Sequence, residues 1–199
     1  MREHEYEKLL NIKTEGYQLG YPRDIQYHRY EPTPYLALEQ LFNEYQFGNV
    51  GTFVDYGCGK GRVPIYVHNK LRINTVGIEM DPKFFAEAEH NKEMYSKVSS
   101  YNKVTVNFYK MIAEEYEIKR EDTIFFFFNP FSVHIFRIVV GNILKSYEEN
   151  SRDIYIILYY PTSDYLYYLS YETPFKEILN MRIKGKRNLN ERIVLYKVS

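Results

Sequence analysis

From residue 51 onward, short apolar runs alternate with longer segments whose apolar positions recur every three or four residues. The short runs predict strands over Thr52 to Tyr56, Thr75 to Ile78, Val104 to Tyr109, Thr123 to Phe128 and Ile154 to Tyr159. The periodic segments predict helices over Gly61 to Lys70, Lys83 to Lys97 and Ser132 to Tyr147, with shorter ones near Ala113 to Tyr116 and Asp164 to Leu169. Apolar strands separated by helices belong to a parallel sheet covered on both faces. The ending differs. Phe175 to Ile183 and Glu191 to Val198 are strand-like, and Lys184 to Asn190 leaves no room for a crossover helix between them. They predict an antiparallel hairpin. The expected fold is α/β: a doubly wound, mostly parallel seven-stranded sheet with helices on both faces and a C-terminal antiparallel β-hairpin.

Residues 1 to 30 are polar and rich in tyrosine, with turn signals at Gly16, Gly20 and Pro22. They predict an N-terminal lid or substrate-recognition segment ahead of a single domain over 31–199. In Tyr30-Glu31-Pro32-Thr33-Pro34, Thr33 reads as a helix N-cap and Pro34 as the first helical residue. The apolar positions Leu36, Leu38, Leu41 and Phe42 follow.

The 199 residues suffice for one domain with a real core. Lysine plus arginine and aspartate plus glutamate are 26 each, so net charge gives no sign of a phosphate-gripping surface. The basic cluster Lys184, Lys186 and Arg187 reads as a solvated hairpin tip. Cys58 is the only cysteine, which excludes an intrachain disulfide and a cysteine-rich metal site. No metal-ligand spacing occurs, and no metal is expected. Met1 to Leu10 is charged rather than apolar, unlike a signal peptide, and no run reaches the length of a membrane span. A cytoplasmic protein is expected. The 22 tyrosines and 13 phenylalanines exceed ordinary usage, and some of them are candidates to line a cleft.

The strongest local signal is Val54-Asp55-Tyr56-Gly57-Cys58-Gly59-Lys60-Gly61-Arg62, where the first strand turns into the first helix of the sheet domain. Glycines there let the backbone turn sharply and approach a ligand. The dinucleotide fingerprint spaces its glycines G-x-G-x-x-G, whereas here the spacing is G-x-G-x-G and Arg62 stands where the third glycine is expected. Asp55 suits a ligand carrying an ammonium group and sits badly beside a pyrophosphate.

These residues resemble the first motif of the class I S-adenosylmethionine (SAM) dependent methyltransferases. Val76-Gly77-Ile78-Glu79 resembles the second motif. The resemblance spans 30–199 and implies SAM as cofactor and methyl transfer as activity. It implies that Asp55, Tyr56, Gly57, Cys58, Gly59 and Gly61 form the cofactor loop. It further implies that Glu79 holds the ribose hydroxyls and that Met80 packs on adenine. The family's acidic residue after strand three is missing; Ile112 stands nearest that place with Ala113 beside it, and Glu114 is the alternative polar partner. Tyr30 and Thr33, ahead of the first strand, are candidates to close the methionine end of the pocket with their hydroxyls.

Phe128-Asn129-Pro130-Phe131 resembles the N-P-P-[YF] motif of methyltransferases that act on planar amines, with one proline missing. By that resemblance Asn129 and Pro130 accept hydrogen bonds from a target amine and Phe131 stacks on its plane, Asn129 also touching SAM. His134 is a candidate base one turn into the following helix, and His28 and His68 are weaker ones. Tyr159-Tyr160-Pro161 lies at the same edge and is a candidate acceptor wall. The acceptor stays open among a protein side chain, a nucleic-acid base and a small molecule. A non-catalytic SAM-binding module and a nucleotide-dependent oxidoreductase are the alternative classes.

Overall fold

The computed structural model describes residues 1–16, 26–48, 50–100, 105–186, 188 and 190–199. The elements run α1 (Glu3–Leu10), α2 (Tyr35–Glu44), β1 (Thr52–Tyr56), α3 (Arg62–Leu71), β2 (Thr75–Glu79), α4 (Pro82–Ser96) and β3 (Val106–Lys110). A 3-10 turn over Ala113–Glu115 leads to β4 (Asp122–Phe127), α5 (Val133–Glu149), β5 (Ile154–Tyr159), α6 (Ser163–Glu172), β6 (Lys176–Arg182) and β7 (Arg192–Val198). Seven strands form one sheet in the order β3-β2-β1-β4-β5-β7-β6. β1 to β5 pair in parallel, and β7 runs antiparallel to both β5 and β6. The expected architecture is the observed one. The expectations at Gly20, Pro22, Val104 and Arg187 lie outside the described residues.

Strand alternation builds two cores. Phe53, Phe126, Ile157 and Leu195 face α1 to α4, while Val54, Phe125, Ile156 and Val194 face α5 and α6. Every residue of β1, β2, β4 and β5 is buried because both faces are covered. Among the described residues no helix is long and apolar enough to cross a membrane.

The structure adds to the expectations in one place and corrects them in another. Residues 1–16 do not stand apart from the core: α1 is a helix that the polar composition hid. Its Tyr6 and Leu10, with Ile12 just beyond, are buried in the same cluster as α2 and α3, and Tyr6 stacks on Tyr35 with ring centroids 4.6 Å apart. Nor does Thr33 cap α2. The cap position falls to Pro34 with no side-chain cap bond, and Glu3 Oε1 accepts the Tyr35 N–H instead at 2.9 Å. A carboxylate from another helix satisfies the exposed amide that a threonine hydroxyl was expected to take.

Arg62 joins these pieces. Only 3% exposed, its guanidinium pairs with Glu7 at 3.2 Å and Glu3 at 2.5 Å. It also donates to the Thr14 hydroxyl and to the Thr33 carbonyl. Glu7 in turn accepts from the Thr14 N–H and hydroxyl and from the Tyr35 hydroxyl. A buried arginine this fully hydrogen-bonded is the arrangement in which a buried ion pair is tolerated.

Candidate active site

Strand order reverses at β1, whose neighbours are β2 on one side and β4 on the other. Ligands of open α/β sheets bind outside the carboxyl ends of the strands at such a switch point. A cavity of about 810 Å³ opens there. Asp55, Gly57 and Cys58 line it from β1 and its loop, Glu79 and Met80 from the end of β2, Asn129 to Phe131 from the end of β4, and Tyr160 from the end of β5.

The glycine loop is held close to its surroundings. Gly57 and Gly59 have φ of 75° and 53°. A Cβ on Gly57 would lie 2.7 Å from the Pro130 side chain, and one on Gly59 would run into the Tyr30 ring. The N–H groups of Gly57 and Cys58 donate to the Ile78 carbonyl. Glu79 then fastens the loop to β2: its Oε2 accepts the Gly59 N–H at 2.9 Å and its Oε1 the Asp81 N–H at 2.8 Å. Asp81 caps α4 by accepting from Lys83 N and Phe84 N.

Asp55 and Glu79 are both buried at the cavity wall. Burial pushes the Asp55 carboxyl well above the usual carboxylate range, and the charge on Glu79 adds to the rise. Burial also raises Glu79, partly offset by the N–H groups of Asp81 and Gly59. Among the described residues no lysine or arginine is paired with either of them. Two buried carboxylates on a cavity, neither paired with a cation among the described residues, fit a ligand with an ammonium group and hydroxyl donors. Each Glu79 oxygen keeps a second lone pair for a ribose hydroxyl. This acceptor set suits SAM and does not suit a pyrophosphate.

The remaining expected residues divide. Met80 and Ala113 line the cavity, together with Met111, while Ile112 does not. Tyr56 points to the opposite face of the sheet, stacked on Phe127 at 5.0 Å. Gly61 is not at the cavity either; a Cβ there would press on Phe108. Glu114 accepts from the Tyr27 hydroxyl at 3.3 Å. His68 is buried against the Tyr95 hydroxyl at 2.9 Å, and His134 is exposed on α5 away from the cavity. Burial raises the Cys58 thiol well above its ordinary value, with Asp55 and Glu79 adding to the effect.

Residues 27–33 line the cavity. Tyr27 bridges antiparallel to Phe131. The Ser132 N–H donates to the Gln26 carbonyl at 2.7 Å, and the His28 N–H to the Pro130 carbonyl at 3.0 Å. Tyr30 lies over the glycine loop, 4.8 Å from Phe84 between centroids. Its hydroxyl is not turned to the pocket as expected, because it donates to the Thr14 carbonyl at 2.6 Å. Thr33 lines the cavity, its carbonyl held by Arg62.

The loop after β4 holds Asn129 at φ 42°, with a buried Oδ1 that has no partner among the described residues. Phe131 is almost wholly buried, edge-on to Phe127 and to Tyr27, and its carbonyl accepts the Tyr165 hydroxyl at 2.6 Å. Tyr160, also left-handed at φ 51°, is fixed by Asn188 through its hydroxyl and by the Arg192 carbonyl through its N–H. Non-glycine residues in this region cluster at functional sites, and both lie here on the cavity wall. Arg62 and His28 also line the cavity. Glu3 and Glu7, spaced four apart on one helix face, were the available signal for the partners of Arg62.

No family model and no curated protein matches the chain. Solved structures do. A human methyltransferase 10 domain containing protein aligns at 15% identity with a TM-score of 0.61, over 85% of this chain and 83% of that one. An RNA methyltransferase from Salinibacter ruber, in complex with S-adenosyl-L-homocysteine, aligns at 18% identity and TM-score 0.57, over 84% and 92%. The chain has the class I SAM-dependent methyltransferase fold. The N-terminal domain of human METTL16, in complex with SAH, shares that methyltransferase fold at 16% identity and TM-score 0.55, over 90% and 75%.

Proposed function

We propose that the chain is a SAM-dependent methyltransferase that uses the cavity at the β1/β4 switch point. The observation that carries this reading is the pair of buried carboxylates, Asp55 and Glu79, facing that cavity beside the glycine loop without a cation of their own among the described residues. Asp55 takes the ammonium group of the cofactor, Glu79 the ribose hydroxyls, and Met80 and Ala113 the apolar faces of adenine. Residues 26–33 act as the lid over the methionine end, and Asn129 and Pro130 form the acceptor side with Tyr160. Bound there, SAM supplies a methyl group on a good leaving group, so positioning for in-line attack supplies much of the acceleration. The buried Asn129 Oδ1 favours an acceptor that donates a hydrogen bond, such as an amine of a protein, a nucleic acid or a small molecule.

Transfer from tritium-labelled [methyl-³H]SAM into separated protein, RNA and small-molecule fractions of a cell extract tests the activity. Label entering one fraction, with S-adenosylhomocysteine released in equal amount, is the expected result. Tight binding of SAM with no label in any fraction would instead identify a binding module without transfer.

A further inference from the structure

His28 is held by the loop it faces. Its Nδ1 lies 2.6 Å from the Asn129 carbonyl oxygen, and its main-chain N–H donates to the Pro130 carbonyl at 3.0 Å. A carbonyl oxygen only accepts, so Nδ1 carries the proton of the neutral ring and Nε2 holds its lone pair. A base oriented through its other nitrogen is the arrangement that nucleophile-activating imidazoles share. On the same cavity the Asn129 Oδ1 is buried without a partner among the described residues, on a backbone held at φ 42°.

The geometry points to His28 as the proton acceptor for a methylated amine, with Asn129 Oδ1 taking a hydrogen bond from the amine's second N–H. This inference rests on the methyltransferase reading. The acceptor's nitrogen forms its bond to the methyl carbon as the carbon–sulfur bond breaks, and the bond pair stays on sulfur. The proton of the attacking group passes to His28 Nε2, and the imidazolium then loses it to water. Arg29 and Glu31 on the same segment line the cavity with His28, and Asp55, Arg62, Glu79, Asp81 and Lys83 line it from other elements, with Cys58 and the phenols of Tyr27, Tyr30 and Tyr160. His28 is the only imidazole on that wall among the described residues.

Two measurements on the full chain test this. In long-range ¹H–¹⁵N spectra of the histidine-labelled protein, the His28 signal, assigned by its loss in His28→Ala, is expected as the Nδ1–H tautomer. An Nε2–H tautomer would overturn the proposal. The second uses the extract fraction that takes up tritium from the wild-type chain. At saturating SAM, His28→Ala is expected to transfer at least about 100-fold more slowly. Added imidazoles should restore transfer in the order of their basicity, which a merely structural histidine would not produce. Transfer by His28→Ala at the wild-type rate would overturn the proposal. A wild-type chain that binds no SAM sinks the methyltransferase reading instead, before any variant is compared.

Discussion

Replacing Asp55 with asparagine is expected to weaken SAM binding by about 100-fold or more while leaving the ligand-free protein at least as stable at neutral pH. The loss follows from removing one partner of a buried charge pair, which costs about 2–5 kcal/mol. The stability gain follows from linkage. Burial raises the Asp55 carboxyl in the folded chain, so between the ordinary aspartate value and that raised value the folded state binds more protons than the unfolded one. Stability therefore falls as pH rises through that window, and asparagine removes the fall. The same shift makes cofactor binding depend on pH: an ammonium ligand selects the ionised form, so affinity rises with pH and binding releases a proton. Thermal melts of both proteins across pH, and titration in two buffers of different ionisation enthalpy, check both statements. An asparagine variant that binds SAM like the parent, or melts lower at neutral pH, contradicts the account.

Arg62→Met is expected to destabilise the chain by about 3–5 kcal/mol, because it leaves Glu7 buried without its cation. For a chain of this size that lowers Tm by on the order of 10 °C. Methionine keeps much of the apolar stem, so the loss reports on charge rather than on a cavity. Adding Glu7→Gln should recover part of it, since the two residues are in contact and their effects are not additive. α1 is the element expected to come loose, and protease cleavage within residues 1–16 should accelerate in the single variant. An Arg62→Met protein that melts like the parent would mean that α1 is held by Tyr6 and Leu10 alone.

The parts legible in the sequence were those whose cause is local. β1 and β5 fall on their expected bounds because an apolar run between turn residues fixes a buried strand by itself. The glycine loop was legible because its backbone demands glycine, and Asp55 and Glu79 because they stand at fixed offsets from strand ends. α1 was not legible: the side it turns inward carries Glu3 and Glu7, whose partner Arg62 lies 59 and 55 residues further along the chain. Thr33 failed as a cap for the same reason, with Glu3 arriving from another helix. The Tyr30 position was legible at the pocket, but its hydroxyl direction depends on the Thr14 carbonyl. His28 went undervalued because it reaches the loop after β4 only through a bridge between Tyr27 and Phe131, more than a hundred residues apart.

Calorimetric titration of the purified chain with SAM, S-adenosylhomocysteine and NAD tests the central claim most directly. The account predicts micromolar binding of the first two, at one site per chain, and no heat from NAD. Absence of binding by either SAM compound would contradict it, because the glycine loop and its two carboxylates would then serve another ligand.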